Sequence, residues 1–140
     1  MSPLELALAT ALKVHQGQTD KGGAPYILHP IRVMMQLESD AERIVGLLHD
    51  SVEDCVWYTL DKVEDDFGTE IRAAVDAITK RAGEDYPEYL QRVKANEIAR
   101  KVKLADLNDN SDTGRLGREV DASDLKRLEK YAFAHTFLSA

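Results

Sequence analysis

The run Leu47-Leu48-His49-Asp50-Ser51-Val52-Glu53-Asp54 constrains this chain more than any other stretch. On a helix advancing about 100° per residue, His49 stacks over Glu53 and Asp50 over Asp54. Four polar side chains then share an arc of roughly 140°. Leu47, Leu48 and Val52 cover the rest of the surface, which calls for burial. Three carboxylates beside an imidazole at the mouth of an apolar core repel one another unless a cation lies between them. The run therefore predicts a buried helix ending in a metal site, with a charged surface helix as the plainer alternative.

The rest of the chain supplies helices and breaks. Ser2-Pro3 fits the N-cap and first position of a helix whose apolar face is Leu4, Leu8, Ala11, Leu12 and His15. Gly17 and Gly22-Gly23-Ala24-Pro25 form a loop. Pro30 sits in the first turn of a second helix, and Ser39-Asp40 caps a third that runs from about Ala41 into the central run. Thr59 caps a helix that Gly68 ends, and Ile71, Ala74, Val75 and Ile78 mark the next. Tyr86 to Ala95 is helical, Asn96 caps the helix of Ile98, Val102 and Ala105, and Asp109 to Asp121 is irregular. Ser123-Asp124 opens a terminal helix with Leu125, Leu128, Ala132 and either His135 or Phe137 inside. Apolar-polar alternation is scarce. The expectation is an all-α fold of seven or eight helices, one domain over residues 1–140.

At 140 residues, such a domain buries roughly 70% of its unfolded surface. Its 18 basic and 25 acidic side chains leave a net charge of −7, which argues against nucleic-acid binding. No apolar run suggests a membrane span, and Met1 to Glu5 carries no secretory pattern. Cys55 is the single cysteine, so no intramolecular disulfide forms; a cytoplasmic location is expected.

Two further segments bear on the central run. His29 precedes Pro30 at a helix start beside the glycine loop. Asp106 lies in Lys103-Leu104-Ala105-Asp106-Leu107-Asn108-Asp109-Asn110, where an acid on a largely apolar helix is costly unless paired or metal-bound. With His49 and Asp50, these make a set of two imidazoles and two carboxylates without a thiolate. That mixture suits six-coordinate manganese or iron with open water positions better than structural zinc.

The run His15-Gln16-Gly17-Gln18, then Lys21-Gly22-Gly23-Ala24-Pro25-Tyr26-Ile27-Leu28-His29-Pro30, the central run, Asp66-Phe67-Gly68 and Lys103 to Asn110 resemble the hydrolase domain of the RelA/SpoT family. More narrowly, they resemble its stand-alone small alarmone hydrolases within the HD-domain superfamily. The likeness extends from about residue 5 to residue 113. It implies a single HD hydrolase domain that removes the 3′-pyrophosphate from guanosine tetra- or pentaphosphate, leaving GDP or GTP and pyrophosphate. The implied cofactor is manganese, with iron or another divalent ion as alternatives. The partner expected is a small nucleotide substrate, with no nucleic acid and no membrane.

Carried over by position, the family's metal ligands fall on His29, His49, Asp50 and Asp106, and its water-activating pair on Glu53 and Asp54. Lys21, Asn110 and Thr113 match positions that hold substrate phosphates or sugar, while His15 and Gln18 order the loop. Two positions depart from the long family members: Asp20 stands where an arginine packs on guanine, and Leu107 where an arginine follows the aspartate ligand. Another nucleotide or phosphate ester therefore stays open as substrate, as does a non-catalytic nucleotide sensor. Trp57, Tyr58, Thr79-Lys80-Arg81, the Tyr86-Tyr89-Leu90 stripe and His135 carry only packing or surface expectations.

Overall fold

The computed structural model describes residues 1–140 and is helical nearly throughout. Ser2 accepts the Glu5 N–H while the Glu5 carboxylate accepts the Ser2 N–H, and this reciprocal cap starts α1 (Pro3–Val14). His15 ends α1, its Nδ1 3.0 Å from Gln18 Oε1. The glycine loop follows, pinched by an isolated bridge between Thr19 and Pro25. Next come α2 (Leu28–Met35) and α3 (Asp40–Leu48), the latter opened by a second reciprocal cap between Ser39 and Glu42. A single turn, α4 (Ser51–Asp54), carries the end of the central run.

Thr59 caps α5 (Leu60–Phe67) through the Lys62 N–H, and Gly68 at φ 93° turns the chain into α6 (Thr69–Ile78). The remaining helices are α7 (Tyr86–Ala95), α8 (Glu97–Asn110), capped by Asn96, and α9 (Ala122–Ser139), with a short 3-10 turn at Thr113–Arg115 between the last two. Eight helices span two turns or more, and no strand forms.

The core is built around α3 and α8. Helix α3 packs against α1, α2, α6 and α8, and α8 against α2, α3, α6, α7 and α9. Leu47, Leu48, Val33, Leu90, Val102 and Leu107 are fully buried between them. Close approach of α2 to α3 depends on Gly46: a Cβ there would meet Leu37 Cδ1 at 2.9 Å and the Met34 backbone at 3.5 Å. With only hydrogen on that face, the last turn of α2 lies directly against α3 at Gly46.

Three sequence expectations shift. The central helix is not continuous; α3 stops at Leu48, and His49 and Asp50 form a turn before α4 resumes. The His49 ring donates from Nδ1 to the Gly46 carbonyl at 2.6 Å, taking an acceptor that a further helical turn would use. Leu12 is 48% exposed, since the buried face of α1 runs through Ala7, Ala11 and Val14. In α9, Leu125 is 55% exposed while Asp124 is buried. Arg118 and Arg127 both pair with Asp124, and Asp121 with Asp124 forms the capping box. These charge-assisted bonds turn the helix by one residue from the phase its leucines suggest.

Candidate metal centre and adjoining cavity

His29 enters from the first turn of α2, His49 and Asp50 from the turn closing α3, and Asp106 from the buried side of α8. The His29 and His49 rings lie edge to face with centroids 5.2 Å apart. Asp106 Oδ1 lies 2.8 Å from His29 Nε2 and 3.2 Å from His49 Nε2. Asp50 Oδ2 lies 3.2 Å from His49 Nε2 and 3.8 Å from His29 Nε2. The donor atoms of His29, His49 and Asp50 all fall within 4.8 Å of one another.

These separations fit a shared cation. Ligand bonds near 2.1 Å put neighbouring donor atoms of an octahedron about 3 Å apart and opposite ones about 4.2 Å apart. The ring orientations agree. His29 Nδ1 donates to Asp109 Oδ2 at 2.6 Å and His49 Nδ1 to the Gly46 carbonyl, so each ring turns its Nε2 toward the cluster. His29, His49 and Asp50 are therefore placed to hold a divalent metal, with Asp106 Oδ1 beside both imidazole nitrogens.

The electrostatics show how strongly the groups act on each other. Burial opposes charge on His49, yet Asp50 and Asp106 raise its pKa well above the usual imidazole value. His29 is likewise raised against burial by its bonds to Asp106 and Asp109. Burial pushes Asp106 up, but Lys103, His49 and His29 bring it well below the ordinary carboxylate range. Asp50 is lowered, against burial, by His49.

Several supporting groups carried no role in the sequence reading. Lys103 Nζ lies 3.0 Å from Asp106 Oδ2, which leaves Oδ1 for the imidazoles. Arg32 bonds Asp109 at 2.7 and 3.1 Å, fixing the carboxylate that orients His29. Tyr26 donates its hydroxyl to Asp50 Oδ2. Spacing on α8 offered a signal for two of them: Lys103 and Asp109 stand three residues either side of Asp106, on its face of the helix.

Glu53 and Asp54 sit on α4, exposed at the rim. Both carboxyls are pushed above the usual range, first by desolvation and then by the neighbouring Asp50 charge. Asn110 reaches the cluster itself, donating from Nδ2 to Asp106 Oδ1 at 3.1 Å. Lys21 and Thr113 stand farther out, on the wall of a cavity of about 320 Å³ that opens beside His29 and Tyr26. That cavity lies between the glycine loop, the 3-10 turn and α9, and Glu53 and Asp54 do not line it. Leu107, one of the two departures, is 1% exposed and packs in the core.

The HD domain family profile matches residues 7–109. Among curated relatives, a guanosine-3′,5′-bis(diphosphate) 3′-pyrophosphohydrolase of Vibrio cholerae is 33% identical over 111 residues, covering 76% of this chain and 15% of that protein. A GTP pyrophosphokinase of Streptomyces coelicolor is 39% identical over 100 residues, covering 69% of this chain and 11% of that protein. The chain spans only 9–15% of the length of the relatives it matches. A solved structure described as a metazoan ortholog of SpoT that hydrolyzes ppGpp superposes with a TM-score of 0.81 at 21% identity, covering 99% of this chain and 86% of that one. At that identity the likeness establishes the all-α fold.

Proposed function

The chain belongs to the HD domain family, and on that premise we propose that it is a metal-dependent phosphohydrolase cleaving the 3′-pyrophosphate of guanosine tetra- or pentaphosphate. One observation carries the reading: His29, His49, Asp50 and Asp106, from three separate segments, bring their donor atoms together beside a nucleotide-sized cavity. All 140 residues act as one hydrolase domain, since the cavity joins the loop of residues 17–25 to α9.

A bound divalent ion, manganese in this proposal, supplies a Lewis acid and a water of lowered pKa. His29, His49, Asp50 and Asp106 hold it. Glu53 accepts the proton of the attacking water, a task suited to a carboxyl lifted above its usual range. Asp54 orients that water. The water oxygen bonds to the phosphorus carried by the ribose O3′, and the P–O3′ bond breaks. Pyrophosphate departs, and O3′ receives a proton, giving GDP or GTP. Asn110 spans the cluster and the cavity, and Lys21 and Thr113 hold the substrate's phosphates or sugar.

The test is release of pyrophosphate or orthophosphate from a panel of guanosine tetra- and pentaphosphate, nucleoside diphosphates and 2′- or 3′-phosphate esters, with manganese supplied. Release of pyrophosphate with GDP or GTP from the first two supports the proposal. Turnover confined to other esters moves the substrate assignment, and no turnover with any divalent ion removes the hydrolytic reading.

A further inference from the structure

The cationic spot Thr79-Lys80-Arg81 closes α6 and has no part in the proposed reaction, yet the fold pins this turn from several sides. Thr79 Oγ1 donates to the Val75 carbonyl at 2.6 Å. Arg92 donates to the Asp76 and Thr79 carbonyls at 3.1 and 3.0 Å, and the buried Tyr89 hydroxyl donates to the Ile78 carbonyl. Arg81 turns back to pair with Asp76. Lys80, partly buried between them, has no ion-pair partner. A rigid stretch of backbone thus presents one uncommitted ammonium.

Tyr89 ties this turn to the metal centre. While its hydroxyl holds Ile78, the Lys103 ammonium lies over its ring, 5.5 Å from the centroid and 3.0 Å from Asp106 Oδ2. Glu53 feels both lysines. Desolvation, Asp50 and Asp54 push its carboxyl up, and Lys103 and Lys80 are the cations acting against them. Neither lysine lines the cavity on the His29 side. The cluster therefore has a second approach, at the rim, with Lys80 beside it.

That rim is acidic. Asp50 and Asp106 offset the charge of a divalent ion, and Glu53 and Asp54 add two carboxylates. A phosphoryl group entering there is repelled unless a cation accompanies it. We propose that Lys80 supplies that cation by binding the distal phosphoryl of the substrate's 3′-pyrophosphate, and so makes the site selective for a pyrophosphate over a monophosphate ester. The proposal rests on the phosphohydrolase reading given above. With the nucleoside in the cavity, the second phosphoryl projects past the attacked phosphorus toward Glu53 and the end of α6. A lysine ammonium carries three donors for its oxygens, and the pinned backbone lowers the cost of ordering the side chain.

The experiment measures binding of inorganic pyrophosphate and of orthophosphate to the manganese-loaded chain by calorimetry, with free manganese removed. It compares wild type, Lys80→Met and Arg81→Met. Methionine keeps an unbranched apolar stem without the charge, and Arg81, exposed and paired with Asp76, controls for general loss of positive charge. Wild type binds pyrophosphate at least about tenfold tighter than orthophosphate, the worth of one hydrogen bond to a charged group. Lys80→Met loses that preference at unchanged manganese affinity, and Arg81→Met keeps it. Equal or absent binding of the two anions in wild type, a preference that survives Lys80→Met, or an equal loss in Arg81→Met overturns the proposal. Because binding is read without turnover, a chain that hydrolyses nothing would defeat the proposed reaction yet still decide the role of Lys80.

Discussion

The Nδ1 of His29 donates to Asp109 Oδ2 at 2.6 Å, across eighty residues of sequence. Asp109 is in turn clamped by Arg32, and its pKa falls to about 2, against burial, through the bonds to His29 and Arg32. The imidazole is thereby fixed in the tautomer that presents Nε2 to the cluster. Outer partners of this type are worth about 10- to 100-fold in metal affinity or activity. Asp109→Ala should weaken manganese binding by about that factor in a titration, and Asp109→Asn, which keeps an acceptor, by less. Unchanged affinity in both variants would separate Asp109 from the metal centre.

Glu53 stands on the rim with no ion pair, so its removal leaves the four proposed ligands in place. Glu53→Gln should retain manganese and lose turnover by about 10²- to 10⁴-fold, the usual contribution of a positioned base. Full turnover in the variant would exclude Glu53 from the chemistry.

Gly22 touches the 3-10 turn so closely that an added Cβ would lie 2.0 Å from the Arg115 carbonyl oxygen. A backbone oxygen cannot step aside cheaply, so Gly22→Ala must move the loop that carries Asp20 and Lys21. The expected outcome is a raised KM with manganese affinity retained. A variant with wild-type KM would show that the loop's position does not matter to substrate.

Arg92 bonds both oxygens of Glu84, at 2.7 and 2.8 Å, and chiefly through these bonds lowers that carboxyl from 4.5 to about 2. A depressed native value stabilises the fold fully above the unfolded pKa and is lost as pH falls through the native one. Wild type should therefore lose thermal stability relative to Glu84→Gln between about pH 4.5 and pH 2. Parallel Tm curves for the two proteins over that range would show that the pair contributes nothing to acid sensitivity.

Local signals marked the helix starts well. Ser2, Ser39, Thr59 and Asn96 each cap the helix their position suggests, because capping depends on residues within one turn. Features set by tertiary contact escaped. Apolar periodicity also misses Asp124, which Arg118 and Arg127, six and three residues away, bury while Leu125 faces water. The break at His49 comes from a side chain competing for a backbone carbonyl, which helical periodicity does not register. For the site, the residues that converge were legible as an unusual density of His and Asp in otherwise apolar segments. Tyr26 and Arg32 were not, since each acts by orienting a ligand from another segment, whereas Lys103 had only its i,i+3 spacing from Asp106 to mark it.

Metal binding by the purified chain tests the central claim most directly. Elemental analysis and manganese titration of wild type should give about one ion per chain, and His49→Ala and Asp106→Ala, folded by circular dichroism, should lose it. A folded wild-type chain that arrives without metal and takes up no manganese, iron or other divalent ion would contradict the account.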